Sequence, residues 1–247
     1  MAVLNPVLIR GKTISDAWHQ CLYKITDENW QEYAREYDID RGSFEKQHSR
    51  REFDHITVHI EYPGTRPLIP IIDVAGIPPP TDQERIDKYM PYLLTGEKEP
   101  NEDYTYGERL NTPIFRLYDG KNVREIETGI NPLEEVISIY KSGAYNTNQA
   151  TLEIGMPTDI TLNDPPCLRL IDTRIKYNKL NFILYFRSWD LWGGFPENLA
   201  GLQTVKEYMV QSIGNGLKDG EIIANSKGLH LYNYQFEYAD AVTHRVK

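Results

Sequence analysis

The stretch that decides the fold is residues 171–186, IDTRIKYNKLNFILYF. Its two halves are rich in β-branched, aromatic and other apolar residues, and Tyr177-Asn178-Lys179 between them suits a tight turn. We therefore predict a β-hairpin. Cys167 lies ten positions before Tyr177 and Arg187 lies ten positions after it. Antiparallel pairing then brings the thiol and the guanidinium opposite each other, within about one residue of register.

The predicted position of Arg187 beside Cys167 suggests a catalytic role for the thiol. A neighbouring guanidinium favours the thiolate and lowers the pKa of a cysteine, and the thiolate is the nucleophilic form. We therefore predict Cys167 as a catalytic nucleophile with Arg187 as its cationic partner. The alternative is a buried, inert cysteine, because free Cys often packs as a small hydrophobe. Pro165-Pro166 before the cysteine and Ser188-x-Asp190 after the arginine favour the catalytic interpretation.

A helix is predicted to follow the hairpin. Pro196-Glu197-Asn198 resembles a helix start, and Gly214-Asn215-Gly216 is typical of a helix end. The apolar residues between them share one helical face. They are Leu199, Leu202, Val205, Met209 and Ile213. Asn198 would then project from the first turn of a packed helix, either as a simple start residue or as a rigidly supported binding group.

Four groups of residues, in this order along the chain, carry a family resemblance. They are YTYGER at 104–109, Pro165-Pro166-Cys167, RSWDLWGGFPEN at 187–198, and His230-x-Tyr232. With them the chain resembles the thymidylate synthases, and most of all their short archaeal branch. The resemblance implies an α/β (α+β) fold, with a large mixed sheet, helices packed on one side and a sheet-to-sheet homodimer.

The resemblance also implies a reaction, the reductive methylation of dUMP to dTMP. The thiolate of Cys167 would add to C6 of the uracil ring, C5 would attack the one-carbon unit of a methylene-tetrahydropterin, and the pterin would then give up hydride. The cosubstrate would be 5,10-methylenetetrahydrofolate or a methylene-tetrahydromethanopterin. The sequence leaves both open.

The nucleotide-binding roles follow from the same resemblance. Arg187 would contact the thiolate and the substrate phosphate, and Ser188 would bind the phosphate. The amide of Asn198 has an acceptor for N3–H and a donor for O4 of uracil, whereas cytosine reverses both demands. His230 and Tyr232 would bind the deoxyribose 3′-hydroxyl, although a strand His-x-Tyr is more often structural.

The remaining implied roles concern the pterin and proton removal. Asp190 would hydrogen-bond the pterin ring, with Gly194 beside it, and Trp189 lies within the substrate-binding motif. Tyr106 resembles the tyrosine of a water network that helps remove the C5 proton. The alternative for Tyr106 is simple packing in an aromatic-rich loop.

The sequence departs from the family's pattern at several positions. Asn148-Gln149 stand where the family has an arginine pair that reaches the partner's phosphate site, and Leu168 replaces a histidine. Four arginines are candidates for compensation: Arg50, Arg51, Arg66 and Arg169. Glu84 and Asp87 are unconvincing matches to a water-organising glutamate, and the family's closing C-terminal tail has no counterpart. These departures leave two alternatives, a pyrimidine nucleotide hydroxymethylase and a nucleotide-binding homologue that has lost turnover.

Composition bounds the class of protein. With 247 residues and 40% hydrophobic content, we expect a single domain over residues 1–247. The net charge of −9 argues against a nucleic-acid partner, whereas an anionic nucleotide needs only local positive charge. We find no membrane-spanning apolar run or secretory signal, and expect a cytoplasmic protein.

The other metal and thiol candidates are weaker. Residues 51–60 are predicted to form a strand with His55 and His59 on one face, but no set of further ligands completes a site, so no metal is expected. Cys21 lies on the apolar face of a predicted helix and is assigned to the core. Two cysteines imply no disulfide framework.

Overall fold

The computed structural model describes residues 3–42, 47–119 and 122–244. Its strands are β1 (Pro6–Gly11), β2 (Ala34–Asp38), β3 (Ser49–Phe53), β4 (His55–Ile60), β5 (Ile114–Asp119), β6 (Asn122–Glu127), β7 (Thr151–Glu153), β8 (Leu168–Lys176), β9 (Lys179–Phe186), β10 (Trp189–Asp190), β11 (Lys218–Ser226) and β12 (Leu229–Tyr232). Its α-helices are α1 (Ile14–Ile25), α2 (Gln83–Leu94), α3 (Tyr106–Asn111), α4 (Pro132–Lys141), α5 (Gly194–Ile213) and α6 (Phe236–Val242).

A mixed six-stranded sheet forms the centre of the protein, in the order β1-β4-β11-β9-β8-β7. Alternate residues of its strands are buried, as expected for strands with one face on the core. The register aligns Val58, Ala224, Leu184 and Ile171 across four strands, and all are buried. Helices α1, α4 and α5 pack against this sheet. The structure confirms the predicted mixed α/β class.

The predicted hairpin is confirmed as β8 and β9. Tyr177 and Asn178 form its turn, with φ of 53° and 58°, the left-handed pair that matches the twist of a two-residue hairpin. At the open end the backbone N–H of Arg187 donates to the carbonyl oxygen of Cys167 over 2.8 Å. The hairpin therefore holds these two residues side by side, as the spacing predicts.

A second sheet, in the order β10-β12-β3-β2, lies beside the end of this hairpin. The pairing of β12 with β3 places His230 opposite Glu52 and Tyr232 opposite Arg50. The single strand predicted over residues 51–60 is wrong, since the chain turns at Asp54 and β3 and β4 belong to different sheets. The carboxylate of Asp54 accepts from a backbone N–H of the N-terminal segment, which fixes the turn.

The predicted helix after the hairpin is confirmed as α5, and its apolar face is buried. The helix begins at Gly194, so Asn198 lies in its second turn rather than its first. The carboxylate of Asp190 accepts from the backbone N–H groups of Gly193 and Gly194 at 3.0 Å each. These N–H groups at the start of a helix would otherwise lack acceptors, so the helix can begin before the predicted residue. Gly214, with φ of 72°, ends it.

Candidate active site

Cys167 and Arg187 meet where β8 begins and β9 has just ended. Cys167 is half-buried. The guanidinium of Arg187 lies across the loop that carries the cysteine, donating to the carbonyl oxygens of Pro165 and Pro166 at 3.2 Å and pairing with the carboxylate of Asp164 at 3.0 Å. The arginine therefore both fastens this loop and places positive charge beside the thiol.

The predicted lowering of the Cys167 pKa is wrong. Burial raises the pKa of this thiol above its usual value, and the carboxylate of Asp164 adds to the rise. The positive charges of Arg187, Arg50 and Arg169 act in the opposite direction but do not outweigh the burial. The thiol of Cys167 is therefore protonated at neutral pH, with three arginines near enough to stabilise the thiolate.

Tyrosine side chains form one wall of the site. The hydroxyl of Tyr106, at the start of α3, accepts from the backbone N–H of Leu168 over 3.1 Å, so it lies beside the residue that follows Cys167. Burial raises the pKa of Tyr106 far above its usual value, and its hydroxyl stays protonated. A cleft of about 280 Å³ opens here, lined in part by Tyr104, Tyr106 and Asp164.

Asn198 is bound at both ends of its side-chain amide. Its Oδ1 accepts from the indole N–H of Trp189 over 3.2 Å, and its Nδ2 donates to the hydroxyl of Tyr89 over 3.1 Å. The ring of Trp189 is only 2% exposed and stacks between Phe186 and Phe195. This side chain belongs to the core and contacts Asn198, and the predicted role of Trp189 as a substrate ligand stays a prediction.

His230 presents an unpaired ring nitrogen. Its Nδ1 lies 2.9 Å from the carbonyl oxygen of Gly228, which can only accept, so Nδ1 carries the proton. Burial lowers the pKa of His230 to about 4, which keeps the ring neutral at neutral pH. Its Nε2 is then a buried acceptor, with no partner in the described ranges. The ring of Tyr232 lies 4.7 Å away, as predicted for two side chains on the same strand face.

The carboxylate of Asp190 holds together the start of α5 and the segments beside it. Besides capping α5, this carboxylate accepts from the backbone N–H of Trp192 at 3.1 Å and from Nε2 of Gln235 at 3.1 Å. Gly194 lies directly against it, since a Cβ there would be 3.3 Å from the Asp190 Cβ. Ser188 is half-buried beside Arg187. These motif residues are thus brought together, and the predicted ligand roles remain predictions.

The four arginines that could compensate for the family's missing arginine pair differ in position. Arg66 is bound by Glu207 through two nitrogens at 2.8 and 2.7 Å, and Arg51 stacks on the rings of Trp30 and Phe236. Arg50, opposite Tyr232, pairs with Glu52 at 3.1 Å, and Arg169 pairs with Asp159 at 3.3 Å. All four are therefore engaged in contacts of their own. The positive charges of Arg50 and Arg169 reach Cys167, whereas Asn148-Gln149 are exposed just before β7.

Helix α2 contributes Tyr89, a site residue that the sequence analysis did not identify. Glu84 pairs with Lys88 at 2.6 Å on the exposed side of this helix, and Asp87 accepts from the side chain of Gln83. It is Tyr89 that approaches Asn198. No motif or spacing signals this contact, because Tyr89 lies 109 positions before Asn198 and α2 packs on α5 only in the folded chain.

Within the ranges that the structure covers, no group of three or more His, Cys, Asp or Glu side chains is arranged to hold a metal ion. None of the helices described is long and apolar enough to cross a membrane.

Comparison with known proteins agrees with this geometry. The thymidylate synthase family profile matches residues 98–247. A putative thymidylate synthase of Methanococcoides burtonii is 31% identical over 240 residues, covering 95% of this chain and 94% of its own length. One of Methanosarcina mazei is 30% identical over 235 residues, with the same coverage. A thymidylate synthase of Listeria monocytogenes is 30% identical over 160 residues, covering 63% of this chain and 47% of its own.

The chain therefore belongs to the thymidylate synthase family. The match includes every motif residue placed above, from the tyrosine wall to His230 and Tyr232. The protein is an enzyme of the methyltransferase class, in a family that binds dUMP and uses a folate-type cosubstrate.

Proposed function

We propose that this protein converts dUMP to dTMP, with Cys167 as the nucleophile that adds to C6 of the uracil ring. The observation that carries the proposal is the pairing of Cys167 with Arg187 at the open end of the hairpin. Addition of the thiolate makes C5 nucleophilic, and C5 then bonds to the one-carbon unit of a methylene-tetrahydropterin. Loss of the C5 proton, release from the pterin, hydride transfer and departure of the thiolate complete the methyl group.

The positive charges near the thiol are proposed to stabilise the thiolate that attacks C6. The guanidinium of Arg187 is paired with Asp164, and a phosphate can share it because an arginine fork suits two anionic oxygens. A bound phosphate adds negative charge and does not itself lower the Cys167 pKa. The thiolate therefore depends on the combined charges of Arg187, Arg50 and Arg169, all of which act to lower that pKa.

The nucleotide would be held along its length by groups from three elements. Arg187, Ser188 and Arg50 would contact the phosphate, with Arg50 supplying charge in place of the family's arginine pair. The neutral His230 would offer Nε2 as acceptor for the 3′-hydroxyl, which would satisfy a buried nitrogen that has no partner among the described residues. Asn198 has one remaining acceptor site and one remaining N–H for the base.

The pterin and the assembly complete the proposal. Asp190 and Gly194 would contact the pterin ring, which is either a folate or a methanopterin. The protein would act as a homodimer formed by stacking the faces of the two central sheets that the helices leave uncovered. The half-buried Ile183 and Ile223 lie side by side on that face, in the middle strands.

Adduct formation tests the proposal directly. The protein is incubated with 5-fluoro-dUMP and either methylene-tetrahydrofolate or methylene-tetrahydromethanopterin, and its intact mass is measured. We expect a stable increase equal to nucleotide plus pterin, because fluorine at C5 cannot leave as a proton does. Parallel reactions with dUMP, analysed by mass, separate a methyl product from a hydroxymethyl product, which is heavier by one oxygen.

The two cysteines provide a matched control. Cys167→Ala is expected to abolish the adduct, whereas Cys21→Ala, in the buried core of α1, is expected to retain it. The absence of a mass increase in the wild type with both pterins, or an unchanged increase in Cys167→Ala, would refute the mechanism.

A further inference from the structure

The amide of Asn198 has a defined orientation, because one of its partners has only one hydrogen-bonding mode. The indole N–H of Trp189 is a donor and never an acceptor. The atom of Asn198 that it contacts at 3.2 Å is therefore the oxygen, and the nitrogen is the atom that faces the hydroxyl of Tyr89. One lone pair of Oδ1 and one N–H of Nδ2 remain available to a ligand.

Both partners are themselves held in place. Trp189 lies between two aromatic rings, with centroid distances of 4.0 Å to Phe186 and 4.6 Å to Phe195. Tyr89 packs so closely on α5 that a Cβ at Gly201 would be 2.6 Å from its ring. Neither ring can turn away from Asn198 without disturbing the packing of the helix that carries it.

We propose that Trp189 is a positioning residue that makes the site select uracil, because its indole N–H prevents the Asn198 amide from rotating to its reversed orientation, while Tyr89 holds the other end of the amide. The inference rests on the proposed function, in which Asn198 contacts the base. A reversed amide would present its N–H to N3 of cytosine and its oxygen to the cytosine amine, so a freely rotating asparagine accepts either base. An amide fixed by a donor-only partner accepts only the base that offers N3–H and O4.

The two partners are expected to contribute unequally. The hydroxyl of Tyr89 can accept from Nδ2 or donate to Oδ1, so it satisfies either orientation of the amide. The indole of Trp189 satisfies only one, since the reversed amide would bring two donors together. Selectivity should therefore depend mainly on Trp189. Tyr89 should restrict the orientation of the Asn198 amide only when Trp189 is also present.

Calorimetric binding of dUMP and dCMP, without pterin, measures this selectivity as the ratio of the two dissociation constants. In Trp189→Phe we expect the preference for dUMP to fall by about tenfold, the factor typical of one mismatched hydrogen bond. In Tyr89→Phe alone we expect a change of no more than about twofold, and in the double variant about the same fall as in Trp189→Phe. Tyr140→Phe removes another buried hydroxyl, bound to Thr173, and should leave the ratio unchanged.

A second replacement guards against misfolding of Trp189→Phe. Benzothienylalanine at position 189 keeps the shape of the indole but replaces its N–H with sulfur, and it should lower the ratio as Trp189→Phe does. An unchanged ratio in either protein, with a wild type that prefers dUMP, overturns this inference and leaves the proposed function intact. An equal fall in Tyr140→Phe also overturns it. A wild type that binds no dUMP, or prefers dCMP, overturns the proposed function itself.

Discussion

Cys167 is the residue at which burial and charge oppose each other. Burial and the carboxylate of Asp164 raise the pKa of its thiol, and the guanidinium of Arg187 lowers it. A thiol with a raised pKa is mostly protonated at neutral pH, which limits its oxidation and unproductive alkylation. The same balance makes reactivity sensitive to a single nearby charge.

Asp164→Asn should make Cys167 more reactive. Removing the negative charge lowers the thiol pKa, and it also releases Arg187 from its 3.0 Å ion pair. We expect the rate of iodoacetamide alkylation at neutral pH to rise by about threefold, and its pH profile to move toward lower pH. Asp172→Asn, on the same hairpin but bound to Thr151, should leave the rate unchanged. A slower rate in Asp164→Asn would contradict this account of the thiol.

The positions of these residues could be predicted from the sequence, but the acidity of the thiol could not. Hairpin spacing alone places Cys167 opposite Arg187, because pairing is local and the turn sets the register. The pKa of Cys167 depends on how deeply the fold buries the thiol and on the position of the Arg187 guanidinium. Both are set by the tertiary structure, so the sequence indicated the cation while missing the burial and the carboxylate that outweigh it.

At the scale of elements, the β8–β9 turn is a place where stability can be gained. Tyr177 is 96% exposed and has φ of 53°, a conformation that asparagine adopts more readily than tyrosine. Tyr177→Asn should raise the free energy of unfolding by about 0.5 kcal/mol, measured by urea denaturation. Lys176→Asn, which falls within the strand, should give no gain. Equal effects of the two changes would show that the turn conformation is not responsible.

Helices α2 and α3 meet at Gly107, where the backbone leaves no room for a side chain. A Cβ there would collide with the carbonyl oxygens of Tyr92 and Thr95, which are backbone atoms and cannot turn aside. We expect Gly107→Ala to lower the free energy of unfolding by about 1–3 kcal/mol. It should also slow adduct formation, because α3 carries Tyr106. Wild-type stability in urea would show that α3 can shift freely.

The contact of Tyr89 with Asn198 could not be predicted from the sequence, because it depends on how two helices pack. The α5 helix was predictable from its apolar periodicity, and Asn198 from the family's motif. The α2 helix carries ordinary amphipathic residues, and only its packing on α5 directs one tyrosine to the amide. A selectivity contact made across two elements leaves no local pattern in either of them.

At the scale of the whole molecule, the uncovered face of the central sheet determines the proposed assembly. Ile183 lies in the middle strand β9 with Ile223 beside it, and in a stacked pair of sheets both would be buried. Ile183→Asp should raise the dimer dissociation constant by at least about 100-fold, roughly 3 kcal/mol, because each copy would bury an unpaired charge. Light scattering after size exclusion should then report a monomer.

Loss of the dimer tests whether the site needs both copies. Ile126→Asp, on the separate β5–β6 hairpin, introduces the same charge at an exposed apolar position and should leave the dimer intact. If each active site is completed at the interface, Ile183→Asp should also lose the 5-fluoro-dUMP adduct while Ile126→Asp retains it. A monomeric Ile183→Asp with full adduct formation would place the whole site in one chain, and phosphate neutralisation would then rest on Arg187 and Arg50 alone.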